Sequence, residues 1–243
     1  MKTAEPVIEI PFWLDVNGRR IATWTCSPGR YEALALGRLM AEGYLQPGGA
    51  LPELDVVDDQ WAAGVQARLP EHDVERAHAE RLHRLEHGCG VLHFVTCEPQ
   101  ALHAQRAPVP GGDWRALFSV LYGGERAASG LHAAALSDGT GLHHRTEEVG
   151  RHNAVDKVIG GALLAGEPLA GRGLVVSARV SGDMALKASR AGLGWIVTRS
   201  VPTTLALTVA AAAGVTIVAR ALGPAPRVYR PGAATPDDAM GDA

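Results

Sequence analysis

Arg151, His152, Asn153, Asp156 and Lys157 stand close together at the head of a strongly apolar run. An imidazole and a carboxylate four positions apart on a helix can share a hydrogen bond. That arrangement fixes a histidine's tautomer for acid or base work. An arginine in a first helical turn adds its charge to backbone amides that already favour anions. With a helix starting near Asn153, the residues Val155, Val158, Ile159, Ala162 and Leu163 make one buried stripe. His152 and Asp156 then lie at its edge, with Asn153 and Lys157 on a more polar side. The same charges would suit a solvated amphipathic helix, so the rest of the chain has to decide between a site and a surface.

Two further residues have types and settings suited to chemistry. Cys89 stands between Gly88 and Gly90, and glycines strip side-chain cover and permit unusual backbone angles. A thiol there is exposed in the way a nucleophile or sulfur carrier needs. Cys97, in the apolar run His93-Phe94-Val95-Thr96, reads instead as a buried and inert thiol, and Cys26 lies at a strand end. His132 follows Gly130 and leads into Ala133-Ala134-Ala135, where backbones can approach closely. It is either a hydrogen-bonded structural residue or an acid or base.

The elements that must position these groups are clearest after Leu174. Leu174 to Ala178 reads as a buried strand, Ser181 to Ala191 as a helix stopped by Gly192, and Trp195 to Thr198 as a second strand. A helix from about Pro202 to Ala213 is stopped by Gly214, and Val215 to Ala219 is a third strand. This β-α-β-α-β order predicts a parallel sheet with right-handed crossovers, whose ligands bind outside the carboxyl ends of the strands. Ser177, Arg179 and Ser181 follow the first strand, while Thr198, Arg199, Ser200, Pro202 and Thr203 follow the second. Both groups run into helix starts, so hydroxyls, arginines and free amides converge as a phosphate or carboxylate site. Lys187, about two turns into its helix, is either a further phosphate partner or surface charge.

The N-terminal half predicts a smaller β unit. Phe12, Leu14 and Val16 alternate with polar neighbours, Asn17-Gly18 supplies a hairpin turn, and Ile21, Thr23 and Thr25 continue the pattern. A helix follows from about Tyr31 to Glu42, stopped by Gly43. Strand-like runs near Leu54 to Val57 and Trp61 to Leu69 extend the sheet. Residues 70–87 are charge-rich, as in a solvated helix or connector, and a short helix spans about Trp114 to Leu121. The expected division is residues 1–86, a cysteine loop and linker helix over 87–128, an α/β ligand-binding domain over 129–230, and a disordered tail over 231–243.

Composition excludes several classes. The 243 residues are 47% hydrophobic and 20% charged with a net charge of −3, enough for a sizeable core. That charge gives no bulk affinity for nucleic acid or anionic membrane, so phosphate binding must be local. No apolar run reaches the roughly 18 residues of a spanning helix, and the first residues lack the apolar core of a signal peptide. Three cysteines without a paired framework or a zinc-like spacing fit a reducing, cytoplasmic setting with no structural metal.

The motifs together resemble the formate dehydrogenase accessory sulfurtransferase family, FdhD/NarQ, over most of the chain. The resemblance runs through Asp15 to Gly18, Ala41-Glu42-Gly43, His87 to Val91, Gly130 to Ala135 and Val149 to Lys157. It continues through Ser177 to Ser181, Met184 to Lys187 and Pro202 to Ala206. Such membership implies a mixed α/β protein whose C-terminal part is similar to the cytidine deaminase fold, usually as a homodimer. It implies sulfur taken from a cysteine desulfurase and passed to a molybdenum cofactor in its bis-guanine-dinucleotide form, bound as a guanine nucleotide-like ligand and destined for formate dehydrogenase. On that basis Cys89, His132, His152 and Asp156 are the candidate catalytic residues. Arg151, Asn153, Lys157, Ser177, Arg179, Ser181, Lys187 and Thr203 are the candidates for holding the cofactor.

The chain departs from the family pattern at one point that matters for chemistry. The family's CGxCG loop reads Cys89-Gly90-Val91-Leu92-His93 here, so Leu92 replaces the second cysteine. One thiolate is enough to hold a persulfide, but the neighbouring thiol is gone. Nor is the chain a deaminase: His132-Ala133-Ala134 lacks the glutamate two residues on, and no PCxxC follows. Three functions stay open on these residues: a sulfur carrier with a single cysteine, a diverged enzyme acting on a small metabolite, and a non-catalytic cofactor chaperone.

Overall fold

Asn17 and Gly18 both take positive φ, 47° and 75°, as the tightest hairpin turn requires. They join β1 (Ile10–Val16) to the antiparallel β2 (Arg19–Cys26). Phe12, Leu14 and Val16 of β1 are buried on one face. β3 (Glu53–Asp58) and β4 (Ala63–Arg68) complete a four-stranded sheet in the order β2-β1-β4-β3, with β1 parallel to β4. The structure is a computed structural model and describes residues 6–59, 61–81, 84–87, 90–93, 109, 113–123 and 130–231.

Between β2 and β3 lies α1 (Tyr31–Ala41). Gly43, at φ 82°, ends it: the Gly43 amide donates to the Met40 carbonyl at 3.2 Å and the Tyr44 amide to the Leu39 carbonyl at 2.9 Å. These are the paired bonds of a Schellman stop. The charge-rich segment forms α2 (Glu71–Arg81), with Val74 and Ala77 buried beneath it. Its Arg76 caps the end of α1 by donating to the Gly43 and Tyr44 carbonyls, each at 3.3 Å. β5 (Arg84–His87) and β6 (Gly90–His93) pair antiparallel with His87 opposite Gly90. Cys89 and Cys97 lie outside the described residues, as do the tail positions 232–243.

α3 (Trp114–Tyr122) is capped by Asp113, whose carboxylate accepts from the Arg115 and Ala116 amides at 2.9 and 3.3 Å. Beyond it come β7 (His132–Ser137), β8 (Leu142–Glu148), α4 (Arg151–Leu164), β9 (Gly173–Val176) and α5 (Gly182–Arg190). The described chain closes with β10 (Trp195–Thr198), α6 (Thr204–Ala213), β11 (Thr216–Ala219) and β12 (Arg227–Tyr229). These strands form a six-stranded sheet in the order β12-β11-β10-β9-β7-β8. β9, β10 and β11 are parallel, as the β-α-β-α-β order predicts. The sheet as a whole is mixed, because β7, β8 and β12 are antiparallel to their neighbours. Hairpin connections and a short returning strand complete it where crossovers do not.

The two faces of this sheet have different cover. Ala134, Leu136, Leu174, Val176, Ile196 and Ile217 share one cluster with α1, α4, α5, α6 and the buried side of the N-terminal sheet. Ala133, Ala135, Val175, Val197 and Val218 face the other way, onto Phe118 and Leu121 of α3. Period-two alternation along each strand produces this division. α4 is therefore buried nearly all round, from Asn153 to Ala162, rather than along the single stripe its periodicity predicts. Its second partner is α1, and the two helices approach at glycines. A Cβ on Gly37 would overlap the Asp156 backbone, and one on Gly160 would overlap the Ala33 backbone. No helix among the described residues is long and apolar enough to cross a membrane.

Candidate functional site

The carboxyl ends of β9 and β10 meet the starts of α4, α5 and α6 along one edge of the six-stranded sheet. His132 arrives there too, because β7 runs antiparallel to β9 and starts where β9 ends. β8 ends opposite His132 at Glu148, and the turn through Gly150 launches α4 at the same edge. Gly150 is extended (φ −103°, ψ 123°), and neither it nor Ser181, which precedes α5, makes a side-chain cap bond. The first-turn amides of both helices are therefore left without the usual side-chain acceptors.

His152 is the centre of this edge. Its Nε2 lies 3.3 Å from the Ser181 hydroxyl and 3.2 Å from Asp183 Oδ2. Burial pushes its pKa down to about 3, assisted by the positive charges of Lys187, Arg151 and Arg38 and by His132. Burial also lowers His132, followed by the charges of Arg151 and Arg199. Both imidazoles are thus held neutral beside guanidinium groups. Arg151 is half-buried and its Nε is enclosed with no hydrogen-bond partner among the described residues. Arg199 is exposed, with its guanidinium 5.2 Å from the Tyr122 ring centre and its Nε donating to the Ser177 carbonyl at 3.3 Å. Arg179 is exposed at the same edge. An orphaned buried guanidinium nitrogen, two uncapped helix starts and a rim of arginines make an arrangement that binds phosphate or carboxylate oxygens.

Several residues expected at the site are engaged elsewhere. Asp156 does not orient His152; its carboxylate takes Lys187 Nζ at 2.6 and 2.8 Å, and both side chains are buried. Lys187 is accordingly neither surface charge nor a free phosphate partner. Lys157 donates to the Ser27 carbonyl at 2.7 Å and pairs with Glu148 Oε2 at 2.5 Å, while Asn153 donates to the Thr25 carbonyl at 2.8 Å. The polar side of α4 thus faces β2 and the loop after it, clasping the N-terminal hairpin. The Ser177 hydroxyl accepts the Ala133 amide at 2.9 Å and ties β7 to β9. The Thr203 hydroxyl caps α6 by accepting the Ala206 amide at 3.1 Å. What the edge brings together is His132, Arg151, His152, Arg179 and Ser181, joined by Asp183 and Arg199.

Sequence reasoning passed over Asp183. An acidic residue in the first turn of a helix is the ordinary response to the macrodipole, so its type and place carry no special signal. Among the described residues no group of three His, Cys, Asp or Glu side chains gathers as metal ligands. A separate cavity of about 720 Å³, lined by Leu51, Leu163, Leu169 and Ala191 among others, contains none of the cluster. β6, on the far side of the Gly88-Cys89 pair from β5, runs beside α5.

A model of the FdhD/NarQ family matches residues 7–234. A protein named sulfur carrier protein FdhD from Staphylococcus haemolyticus is 30% identical over 215 residues, covering 84% of this chain and 79% of that protein. A protein of the same name from Burkholderia cenocepacia is 31% identical over 226 residues, covering 86% of this chain and 81% of its own. Among solved structures, one from Desulfotalea psychrophila, provisionally named a formate dehydrogenase accessory protein, superposes with a TM-score of 0.70. It covers 93% of this chain and 88% of its own at 24% identity.

Proposed function

Because the chain belongs to the FdhD/NarQ family, we propose that it is a sulfur carrier for formate dehydrogenase maturation, loaded as a persulfide on Cys89. In loading, the Cys89 thiolate attacks the outer sulfur of a cysteine desulfurase persulfide. The new S–S bond makes Cys89-S-SH, and the desulfurase leaves as its thiolate. The acceptor is a molybdenum cofactor in its bis-guanine-dinucleotide form, held by its phosphates at the edge formed by His132, Arg151, His152 and Arg199.

The observation that carries the ligand part of this reading is Arg151, whose Nε is buried without a partner among the described residues, beside two helix starts that lack side-chain caps. Such a nitrogen is costly to leave unpaired, and a phosphate oxygen satisfies it. The carrier part is supported by the names of the relatives and by elimination of one thiol. Cys26 is buried and its pKa is pushed up to about 12, chiefly by burial against the lowering effect of Lys157, so it presents no thiolate. Homodimer formation and a cytoplasmic location belong to the same proposal.

Leu92, in place of a second loop cysteine, favours one other reading: a cofactor-binding chaperone in which Cys89 carries nothing. Complementation separates the two. In cells lacking their own accessory protein, this chain should restore formate dehydrogenase activity and Cys89→Ala should not. Full restoration by Cys89→Ala selects the chaperone, and no restoration by the unaltered chain removes both.

A further inference from the structure

Asp183 is the second residue of α5, and its side chain is 10% exposed against 12% for His152. Its Oδ2 is enclosed, lies 3.2 Å from His152 Nε2 as an ion-pair contact, and has no aligned hydrogen bond among the described residues. The neighbouring charges are already committed. Lys187 holds Asp156, and Arg38 holds Glu42 at 2.8 Å. The Ser181 hydroxyl, which can donate or accept, lies 3.3 Å from the same Nε2, whereas an ionised carboxylate can only accept.

We infer that Asp183 is the positioning residue for His152, accepting a hydrogen bond from its Nε2–H and so leaving Nδ1 as the ring's basic atom. The inference rests on the reading of this edge as the site and deepens it. Its consequence is a division of labour. Arg151 and Arg199 are donors only, suited to phosphate oxygens, whereas a neutral His152 with this tautomer offers an acceptor. The ligand group that meets it must carry a hydrogen: an amino, amide or hydroxyl group, or an acidic thiol. The other groups around the ring do not reverse this. Arg151 beside it on α4, Arg38 from α1 and Lys187 from α5 are cations that favour the neutral ring and offer no acceptor, and His132 from β7 is a second neutral imidazole.

The test is nitrogen-15 NMR of the histidine ring nitrogens in the full chain at pH 7, with His152 assigned by its loss in His152→Gln. The unaltered protein should show His152 protonated at Nε2 alone. Asp183→Leu, branched at the same carbon and unable to accept, should lose that single-tautomer pattern, while Ser181→Ala should keep it. Asp183→Ala reads the same signal should the leucine variant fail to fold. His152 protonated at Nδ1 in the unaltered protein, or an unchanged Nε2–H pattern after removal of the Asp183 carboxylate, overturns the inference. Neither ligand nor desulfurase is needed, so failure here is distinguishable from failure of the sulfur-carrier reading.

Discussion

Lys187 Nζ sits 2.6 and 2.8 Å from the two carboxylate oxygens of Asp156, with the two side chains 2% and 1% exposed. The pair joins α5 to α4 directly behind the His152 edge. Burial pushes the Asp156 pKa up, while Lys187 first and Arg38 next hold it down. A buried pair is weak evidence of net stabilisation, yet breaking it leaves one charge enclosed without its partner. Lys187→Met should therefore cost about 3–5 kcal/mol in urea unfolding. The double variant Lys187→Met with Asp156→Leu should recover most of that loss. A Lys187→Met protein of unchanged stability would show that the pair is not formed.

The α1–α4 contact makes a second stability prediction. Ala33 and Gly160, and likewise Gly37 and Asp156, meet backbone to backbone with no room for a Cβ. Gly160→Ala forces the helices apart and should destabilise by about 1–3 kcal/mol or more, despite alanine's better helix propensity. Gly166→Ala is strained in a different way: its φ of 66° disfavours any side chain, although nothing lies within 4 Å. Thermal unfolding of the two should show the packing defect as the larger.

How much was legible in the sequence follows from which signals are local. The β1–β2 hairpin and the β9-α5-β10-α6-β11 succession were readable because turn residues, glycine stops and apolar runs specify them within a few positions. The side of α4 that serves the site was not. Asn153 and Lys157 look like ligand-facing residues until α1 and β2 are placed against them, and that placement depends on contacts more than a hundred residues apart, such as Asn153 to Thr25. Asp156 and His152 have the spacing of a dyad, but Lys187 competes for the carboxylate from 31 positions away and wins by full charge and burial. β8, with His143, His144, Arg145 and Glu147 in a seven-residue strand, lacks a clear apolar alternation, and the three-residue β12 is too short to announce itself.

His152 makes stability pH-dependent in a defined direction. Its folded pKa of about 3 lies below the ordinary value of 6.5. Below pH 6.5 the unfolded chain binds a proton there that the folded chain does not, so stability falls as pH falls from 6.5 toward 3. The slope is at most about 1.4 kcal/mol per pH unit from this group. Burial raises Asp183 and Asp156, which bind protons more readily when folded and so oppose the loss at the acid end. Unfolding free energies at pH 7 and pH 5 are to be compared in the unaltered protein and in His152→Gln. The variant should lose less on acidification; equal losses would show that His152 is not held neutral.

The phosphate edge predicts a salt-dependent ligand. Guanosine diphosphate, as a probe, should bind with an affinity that falls as salt rises. Arg151→Ala should cost about 1.5–3 kcal/mol of binding, the range for a hydrogen bond to a charged group. Arg179→Ala should follow in the same direction. Calorimetry that finds equal affinity in Arg151→Ala would move the ligand away from this edge.

The sulfur-carrier account is tested most directly by intact mass. After incubation with a cysteine desulfurase and cysteine, the account predicts a gain of about one sulfur mass. That gain should be absent from Cys89→Ala and retained in Cys97→Ala and Cys26→Ala. No gain in the unaltered chain, or a gain that persists without Cys89, would contradict it.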